Sequence, residues 1–309
     1  MQKLSIIIPY LNEDDYIVKT IESINQTSDK NMVDIIAIDD FSKKHTDLSK
    51  FSNVKSIRNP KRIGVDACRQ MGVELSNHPY CLILDAHMFF KNDDWANKII
   101  QYINNNPKTL FCTVCLGLGY GTLDVNKHMG KYFAADFQWT TDAEKDRPCR
   151  NIIEPRWAAP KDFMEYNVSC ILGANYFFSK EWFMYIRGLC GLMSWGTSEP
   201  FLSIKSYLAG GDCKITKNIE IGHVFRDNAP YSTSVSDLIY NKIFFCKTLL
   251  PDDLSNKLIG FLVKDNNYHE AAKRIEKNMD IILENKRYYQ SIFKYSIYDY
   301  CSQFNICLP

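Results

Sequence analysis

The chain has 309 residues, of which 46% are hydrophobic and 24% charged, and it carries a formal net charge of +1. That length suits one large α/β domain or a domain with a substantial appendage, and the composition excludes large-scale disorder. A charge this close to zero gives no global field for nucleic acid or a membrane surface.

Met1-Gln2-Lys3 runs straight into Leu4-Ser5-Ile6-Ile7-Ile8-Pro9. This reads as a strand covered on both faces, not as a signal peptide's apolar core. No stretch approaches the roughly 18–20 apolar residues of a membrane span. A soluble, unexported, cytoplasmic protein is the expectation. Asn12-Glu13-Asp14-Asp15 supplies helix-start chemistry, and Ile17, Val18, Ile21 and Ile24 follow at helical spacing. Val33 to Ile38 reads as a second strand ending in Asp39-Asp40-Phe41-Ser42, and Val54 to Ile57 as a short third. Gly64 to Leu75 reads as a helix, and Tyr80 to Leu84 as the next strand. Strand and helix alternate at the spacing of βαβ units, which predicts a parallel, doubly wound sheet. In such a sheet Asn12, Asp39, Asp40 and Asp85 all fall at carboxyl ends of strands, where open α/β sheets bind ligands.

Gly117-Leu118-Gly119-Tyr120-Gly121 lacks the spacing of a dinucleotide fingerprint, and no glycine-rich turn follows the first strand. Nicotinamide cofactors and P-loop nucleotides are thereby disfavoured. Eleven cysteines is an odd count, and Cys81, Cys112, Cys170 and Cys246 sit inside apolar runs. Reduced, buried thiols are expected, since Cys112 and Cys115 have no second pair at zinc-ribbon spacing. Residues 122–168 are polar and weakly periodic, either an acceptor-binding insertion or long loops. Val168 to Phe178 reads as a strand turning at Gly173-Ala174-Asn175, Glu181 to Arg187 as a helix, and Phe201 to Leu208 as a helix stopped by Gly210-Gly211. Cys213 to Ile221 reads as a strand leading to Gly222-His223-Val224-Phe225-Arg226. From Ser234 onward helical stripes dominate: Leu238, Ile239, Ile243 and Phe244, then Pro251-Asp252-Asp253 restarting a helix, then Ala271 to Glu284 as a surface helix. The division expected is 1–233 as a catalytic domain and 234–309 as a helical appendage. The tail's aromatic stripe, which includes Tyr289 and Tyr300, is read as packing against that domain.

The stretch with most chemical content is Leu82-Ile83-Leu84-Asp85-Ala86-His87. A buried strand delivers an aspartate and, two residues on, a histidine, which point the same way if the extended conformation persists. Taken alone, a strand followed by a polar loop explains it equally well.

Several segments together resemble the family-2-type glycosyltransferases of the GT-A fold, most closely the polypeptide N-acetylgalactosaminyltransferases. These are Ser5 to Glu13, Ile38-Asp39-Asp40-Phe41-Ser42, Arg62-Ile63-Gly64 with Arg69, Asp85-Ala86-His87, Trp195-Gly196, Gly210-Gly211, and Gly222 to Arg226 with Pro230-Tyr231. The resemblance covers roughly 4–231. It implies a GT-A-type doubly wound nucleotide-sugar-binding sheet with a C-terminal helical appendage, and a metal-dependent glycosyltransferase that moves a sugar, hexosyl or N-acetylhexosaminyl, from a UDP-sugar to an acceptor hydroxyl. It further implies that Asp85, His87 and His223 hold Mn2+ or another divalent metal. Asn12, Asp39, Asp40, Arg62, Gly64, Arg69 and Asp85 would bind the nucleotide, and Arg226 and Tyr231 would belong to a lid over the site. One carboxylate with two imidazoles is a mixed ligand set that suits manganese and also other first-row metals.

The chain departs from that pattern at Trp195-Gly196-Thr197-Ser198-Glu199, where Ser198 stands in the usual glutamate position and Glu199 follows. Glu199 is read as an acceptor-side base or a ligand of the sugar, against the plain alternative of a carboxylate at a helix N-terminus. Neither the membrane anchor nor the lectin repeats of the animal enzymes is expected here, and a bacterial or phage relative is the expectation. The acceptor stays open between protein, glycan and modified phage DNA. For DNA, Lys127, Lys131, Lys145, Arg147, Arg150, Arg156 and Lys161 would supply basic surface; a solvated loop face explains them too. The altered 195–200 segment also leaves a catalytically inactive nucleotide-sugar-binding protein as an alternative.

Overall fold

The computed structural model describes residues 2–13, 15–121, 123–139, 152–158 and 167–309, so Lys145, Arg147, Arg150 and Lys161 lie outside the described residues. Strand β1 (Leu4–Tyr10) is buried along its whole length, as an uninterrupted apolar run at a sheet centre must be. It pairs in parallel with β2 (Val33–Asp39) on one side and β4 (Tyr80–Leu84) on the other, and β3 (Val54–Arg58) forms the edge beyond β2. Helices α1 (Tyr16–Thr27) and α2 (Val65–Leu75) lie in the connections. Ile17, Ile21 and Ile24 of α1 are fully buried. At about 1.5–3 kcal/mol for each such side chain, this apolar face alone holds the helix on the sheet. Because strand order reverses at β1, the carboxyl ends of β1, β2 and β4 open onto one crevice.

Beyond β4 the sheet stops being parallel. Strand β10 (Asn175–Ser179) runs antiparallel between β4 and β6 (Thr109–Leu118), where the sequence pattern predicts parallel strands. Apolar content shows that a strand is buried, not which way it runs. The strand expected over 168–178 is also shorter than predicted. Residues 171–174 leave the ladder to cross the mouth of the crevice, where the Ala174 carbonyl accepts from Asp85 N at 3.0 Å. Helix α3 (Trp95–Asn105) joins β5 (Met88–Phe90) to β6, and β7 (Gly130–Phe133) pairs antiparallel with β6. A separate two-stranded ribbon consists of β8 (Ala135–Gln138) and β9 (Glu154–Trp157).

Strand β11 (Asp212–Val224) matters most for the site. It runs parallel to β6 with Thr216 opposite Thr113 and Glu220 opposite Val114, so β11 carries three extra residues at this bulge. An odd insertion reverses which side chains share a face with β6 from there on. The strand then pairs antiparallel with β5, His223 opposite Met88, and the two histidine-bearing segments are drawn side by side.

Helices α4 (Lys180–Tyr185) and α5 (Ser198–Leu208) flank β10 and β11. The chain ends in α6 (Val235–Leu249), α7 (Asp252–Leu262), α8 (Tyr268–Lys277), α9 (Met279–Ile292) and α10 (Ile297–Gln303). The single surface helix expected over Ala271–Glu284 is two helices, parted at Asn278, whose φ of −103° and ψ of 17° break the helical run. Helix α6 is buried nearly all round, including Asn241 and Lys242, so it is an interior helix. Ile83, Phe201, Phe244, Tyr289 and Tyr300 belong to one continuous apolar core. Tyr289 and Tyr300 of the tail therefore pack as expected, while Tyr295 and Tyr298 stay exposed, and the core runs on without a break at residue 234. The described cysteines are all free thiols, most of them buried. Among the described residues, no helix is long and apolar enough to cross a membrane.

Candidate metal and nucleotide site

A cavity of about 430 Å3 opens at the crevice and is lined by Leu11, Glu13, Asp40, Arg62, Arg69, Asp85, His87, Trp157, Trp195, Glu199, His223, Arg226 and Tyr231 among others. Most of the residues singled out in the sequence therefore meet at this one cavity. Asn12, Asp39 and Gly64 stand outside the cavity wall and shape its rim. The Asn12 side chain donates to the Pro230 carbonyl at 3.3 Å and accepts from Lys43 N at 2.8 Å, tying the turn after β1 to the 225–231 segment. Asp39 is fully buried, accepting from Arg58 at 2.6 Å and from Ser42 N at 2.7 Å. Burial works to raise its carboxyl, but the hydrogen bonds from Ser42 and His45 and the charge of Arg58 hold it below the usual range. Asp40 accepts from Ile63 N at 2.8 Å and Gly64 N at 2.9 Å, fixing the entry to α2. Gly64 has φ +96°, and a Cβ there would overlap the Ser194 backbone. Neither aspartate caps a helix in the ordinary way; both shape the loops at the carboxyl end of β2 beside the crevice.

Asp85, His87 and His223 bring one ligand atom each to within 4.8 Å of one another. His87 Nε2 lies 3.1 Å from His223 Nε2, which is 3.5 Å from Asp85 Oδ2. Two ligands bonded at about 2.1 Å and at right angles to one ion stand about 3 Å apart, so the spacing fits a shared divalent cation. The tautomer fits as well. His87 Nδ1 lies 3.2 Å from Glu13 Oε2, and a carboxylate there accepts a hydrogen bond from Nδ1–H, the tautomer that leaves the Nε2 lone pair turned toward the cluster. Burial lowers the His223 imidazole from its ordinary value, against the pull of Asp85, which favours the neutral ring that ligation requires. Burial alone would raise Asp85, but the His223 hydrogen bond and the Arg69 charge keep it ionised and below the usual range. The donor set is thus convergent, with the directions at Asp85 and His223 both favouring the forms that ligate a metal.

Glu13, read in the sequence only as part of a helix start and of the first resembling segment, is a further candidate site residue. It is buried, and one oxygen serves both His87 and Arg226. Arg226 also lies over the Tyr16 ring, 4.9 Å from its centroid. Its sequence signals are an acidic residue just past the carboxyl end of β1 and its place at the end of the resembling segment Ser5 to Glu13. Glu13→Gln is expected to weaken divalent-metal affinity by about 10–100-fold, as loss of a carboxylate behind a ligating histidine does. Titration of free Mn2+ by electron paramagnetic resonance reads this directly, and an unchanged affinity would refute the role.

Around Arg69 three carboxylates converge: Asp85 at 3.1 Å, Asp66 at 3.5 Å and Glu199 at 3.7 Å. Ser198, in the position where the resemblance leads one to expect glutamate, turns inward and donates to Asp66 at 2.6 Å. Glu199 faces the cavity in its stead. Its carboxyl is raised by burial, with Arg69 opposing. The wall closes with Tyr231, over which Arg62 sits at 5.7 Å. Of the basic residues in the 122–168 region, Lys131 pairs with Glu220 at 2.7 Å and Lys127 with Asp124 at 3.9 Å, as a solvated face would.

An open sheet whose switch-point crevice carries this Asp-His-His cluster is a GT-A-type fold, and comparison with solved structures agrees. The crystal structure of GalNAc-T7 with UDP, GalNAc and Mn2+ matches with a TM-score of 0.74 at 18% identity, covering 98% of this chain and 57% of that one. Staphylococcus aureus TarS 1-349 in complex with UDP-GlcNAc matches at 0.57 and 12% identity, covering 98% and 80%. The chain belongs to glycosyl transferase family 2, which its residues 5–188 match. Human polypeptide N-acetylgalactosaminyltransferase 10 is 26% identical over 239 residues, covering 74% of this chain and 38% of that protein. Polypeptide N-acetylgalactosaminyltransferase 5 of Caenorhabditis elegans is 26% identical over 274 residues, covering 82% and 42%. The chain thus spans about two-fifths of the length of these curated relatives.

Proposed function

We propose that this protein is a glycosyltransferase that uses a divalent metal, Mn2+ in the first instance, to move a sugar from a UDP-sugar to an acceptor hydroxyl. The observation that carries this reading is the Asp85–His87–His223 cluster on the wall of a cavity at the switch point of a family 2 sheet. When bound there, the metal neutralises the charge that develops on a diphosphate leaving group. The protein's own groups do the remainder. Arg69 fixes Asp85 and Glu199 relative to each other. Arg62 and Tyr231 close the nucleotide end, and Glu13 holds Arg226 and with it the 225–231 segment over the crevice. Glu199 faces the space where the sugar and acceptor meet. Its carboxyl, raised by burial, suits a group that takes or shares a proton.

The deciding experiment is UDP release from a panel of UDP-sugars with and without Mn2+. Metal-dependent release from at least one donor is expected. UDP binding with metal but no turnover of any donor, alone or with protein, glycan or DNA acceptors, would instead mean an inactive binding protein. No binding at all would sink both readings.

A further inference from the structure

We propose that Asn241, in the middle of α6, is a positioning residue that clamps the loop carrying Trp195 and Glu199. The helices after residue 234 are then a working part of the site. The catalytic consequence rests on the transferase reading above; the clamp itself does not.

Between Met193 and Thr197 the backbone is left-handed at Ser194 (φ 49°), Gly196 (φ 100°) and Thr197 (φ 71°). Two of these are not glycine, and such conformations persist only where the surroundings over-determine them. Asn241 supplies that constraint. Its side-chain Nδ2 donates to the carbonyls of Met193 at 2.7 Å, Gly196 at 2.9 Å and Trp195 at 3.4 Å. Its Oδ1 accepts from Met193 N at 2.7 Å. Only one orientation of the amide satisfies both sets of partners, because the carbonyls can only accept and the N–H can only donate. Asn241 is fully buried, in a helix otherwise rich in Leu, Ile and Phe. An amide in that position is costly unless satisfied, and its bonds to Met193, Trp195 and Gly196 all go to one loop.

A second contact lies one turn earlier on the same helix. Ser194 Oγ donates to Asp237 Oδ2 at 2.6 Å, and Asp237 is held in turn by Arg274 of α8. On the opposite side the Ser194 carbonyl accepts from Asp66 N at 3.3 Å, so the loop is strung between the start of α2 and the flank of α6. What it carries faces the cavity: Trp195, 48% exposed, and Glu199 in the first turn of α5, which starts at Ser198. Asn241 does not line the cavity, although its neighbours Leu238 and Lys242 do. Its effect must therefore pass through the loop. The clamp sets where the indole and the carboxylate stand relative to the metal cluster, which α6 does not touch.

Three variants of the full-length protein test this. Asn241→Ala removes the clamp. Asn241→Asp keeps its size and the acceptor for Met193 N but sets a carboxylate against three carbonyls. Ser194→Ala removes only the Asp237 contact. The first readout, in ligand-free protein, is acrylamide quenching of Trp195, isolated by difference against Trp195→Phe. It should change in both Asn241 variants and, by a smaller factor, in Ser194→Ala. The second is the split of donor kinetics: kcat for UDP release should fall about 10–100-fold, as misplacement of a reacting group by under an ångström does, while Mn2+ affinity and donor KM stay within about threefold. Quenching identical to wild type in a folded Asn241→Ala protein overturns the proposal. So does a loss of kcat matched by an equal loss of Mn2+ affinity. If both Asn241 variants fail to fold, Ser194→Ala decides by the same two readouts. A wild type that turns over no donor defeats the transferase reading while the quenching arm still decides the clamp.

Discussion

His87→Ala is expected to abolish Mn2+-dependent UDP release, a loss of about a thousandfold or more. The substitution removes one of three convergent ligand atoms and leaves Asp85 and His223 facing each other at 3.5 Å. The remaining pair offers one oxygen and one nitrogen. A divalent ion held so weakly is shared with solvent at micromolar to millimolar concentrations, and the leaving diphosphate loses the charge that opposes its own. The fold should survive. The His87 side chain is 15% exposed and Glu13 keeps its ion pair with Arg226. The hydrogen bond lost to Glu13 contributes about 1–3 kcal/mol, which a family 2 sheet of this size tolerates. Three measurements separate the possibilities: circular dichroism for the fold, electron paramagnetic resonance for Mn2+ affinity, and UDP release for turnover. Retained turnover with wild-type Mn2+ affinity would remove the cluster from the mechanism. Chelation with EDTA should reproduce the variant's phenotype in the wild type, and readdition of Mn2+ should reverse it.

The parts of the site that were legible in the sequence are those where one residue type at a strand end carries the chemistry. Asp85 and His87 follow an apolar run, so their placement at a carboxyl end needs only the two-residue period of a strand. His223 was within reach only because a second recognisable segment contains it. Its arrival beside His87 depends on the three extra residues in β11 between Thr216 and Glu220, which hydrophobic patterning does not register. Strand direction was equally out of reach: Asn175–Ser179 reads as a buried strand in either sense, and it runs antiparallel. Asp39, expected at the nucleotide, stands behind the cavity wall with Arg58, His45 and Ser42 as its protein partners, while its neighbour Asp40 lines the cavity. Adjacent aspartates at a strand end look alike in sequence, while the pleat sends their side chains to opposite faces. The largest omission concerns α6. Its apolar stripes describe a helix that packs. The information that it shapes the site lies in two polar residues among those stripes, Asn241 and Lys242, and a buried polar group within an apolar helix is the signal to look for.

Arg69→Met is expected to destabilise the protein by about 3–5 kcal/mol, the cost of stripping the partner from buried charge. At a few degrees per kcal/mol for a chain of this size, melting should fall by roughly 10 °C. Arg69 is 4% exposed and stands among Asp66, Asp85 and Glu199, and it also donates to the Gly173 carbonyl at 3.3 Å. One guanidinium thus answers three carboxylates, and the balance already shows strain at one of them. Burial pushes the Asp66 carboxyl up to about 7, with Glu199 adding to the rise and Arg69 and Ser198 opposing it. The sign of the pH dependence follows. Between the unfolded value near 4 and the folded value near 7, the native protein binds a proton that the unfolded chain has released, so this group's share of stability falls as pH rises through that window. Without Arg69 the opposition is gone: Asp66 and Glu199 rise further, Asp85 loses part of what holds it below the usual range, and the decline becomes steeper and reaches to higher pH. The stability gap between wild type and Arg69→Met should therefore be wider at pH 8 than at pH 5, as measured by urea unfolding at both values. An equal gap, or a wider one at pH 5, would show that the three carboxylates do not depend on Arg69 for their charge. Turnover tests the same arrangement from the other side. At pH 8 a folded Arg69→Met protein should lose donor cleavage along with Mn2+ affinity, because Asp85, the proposed metal ligand, is held in place by Arg69.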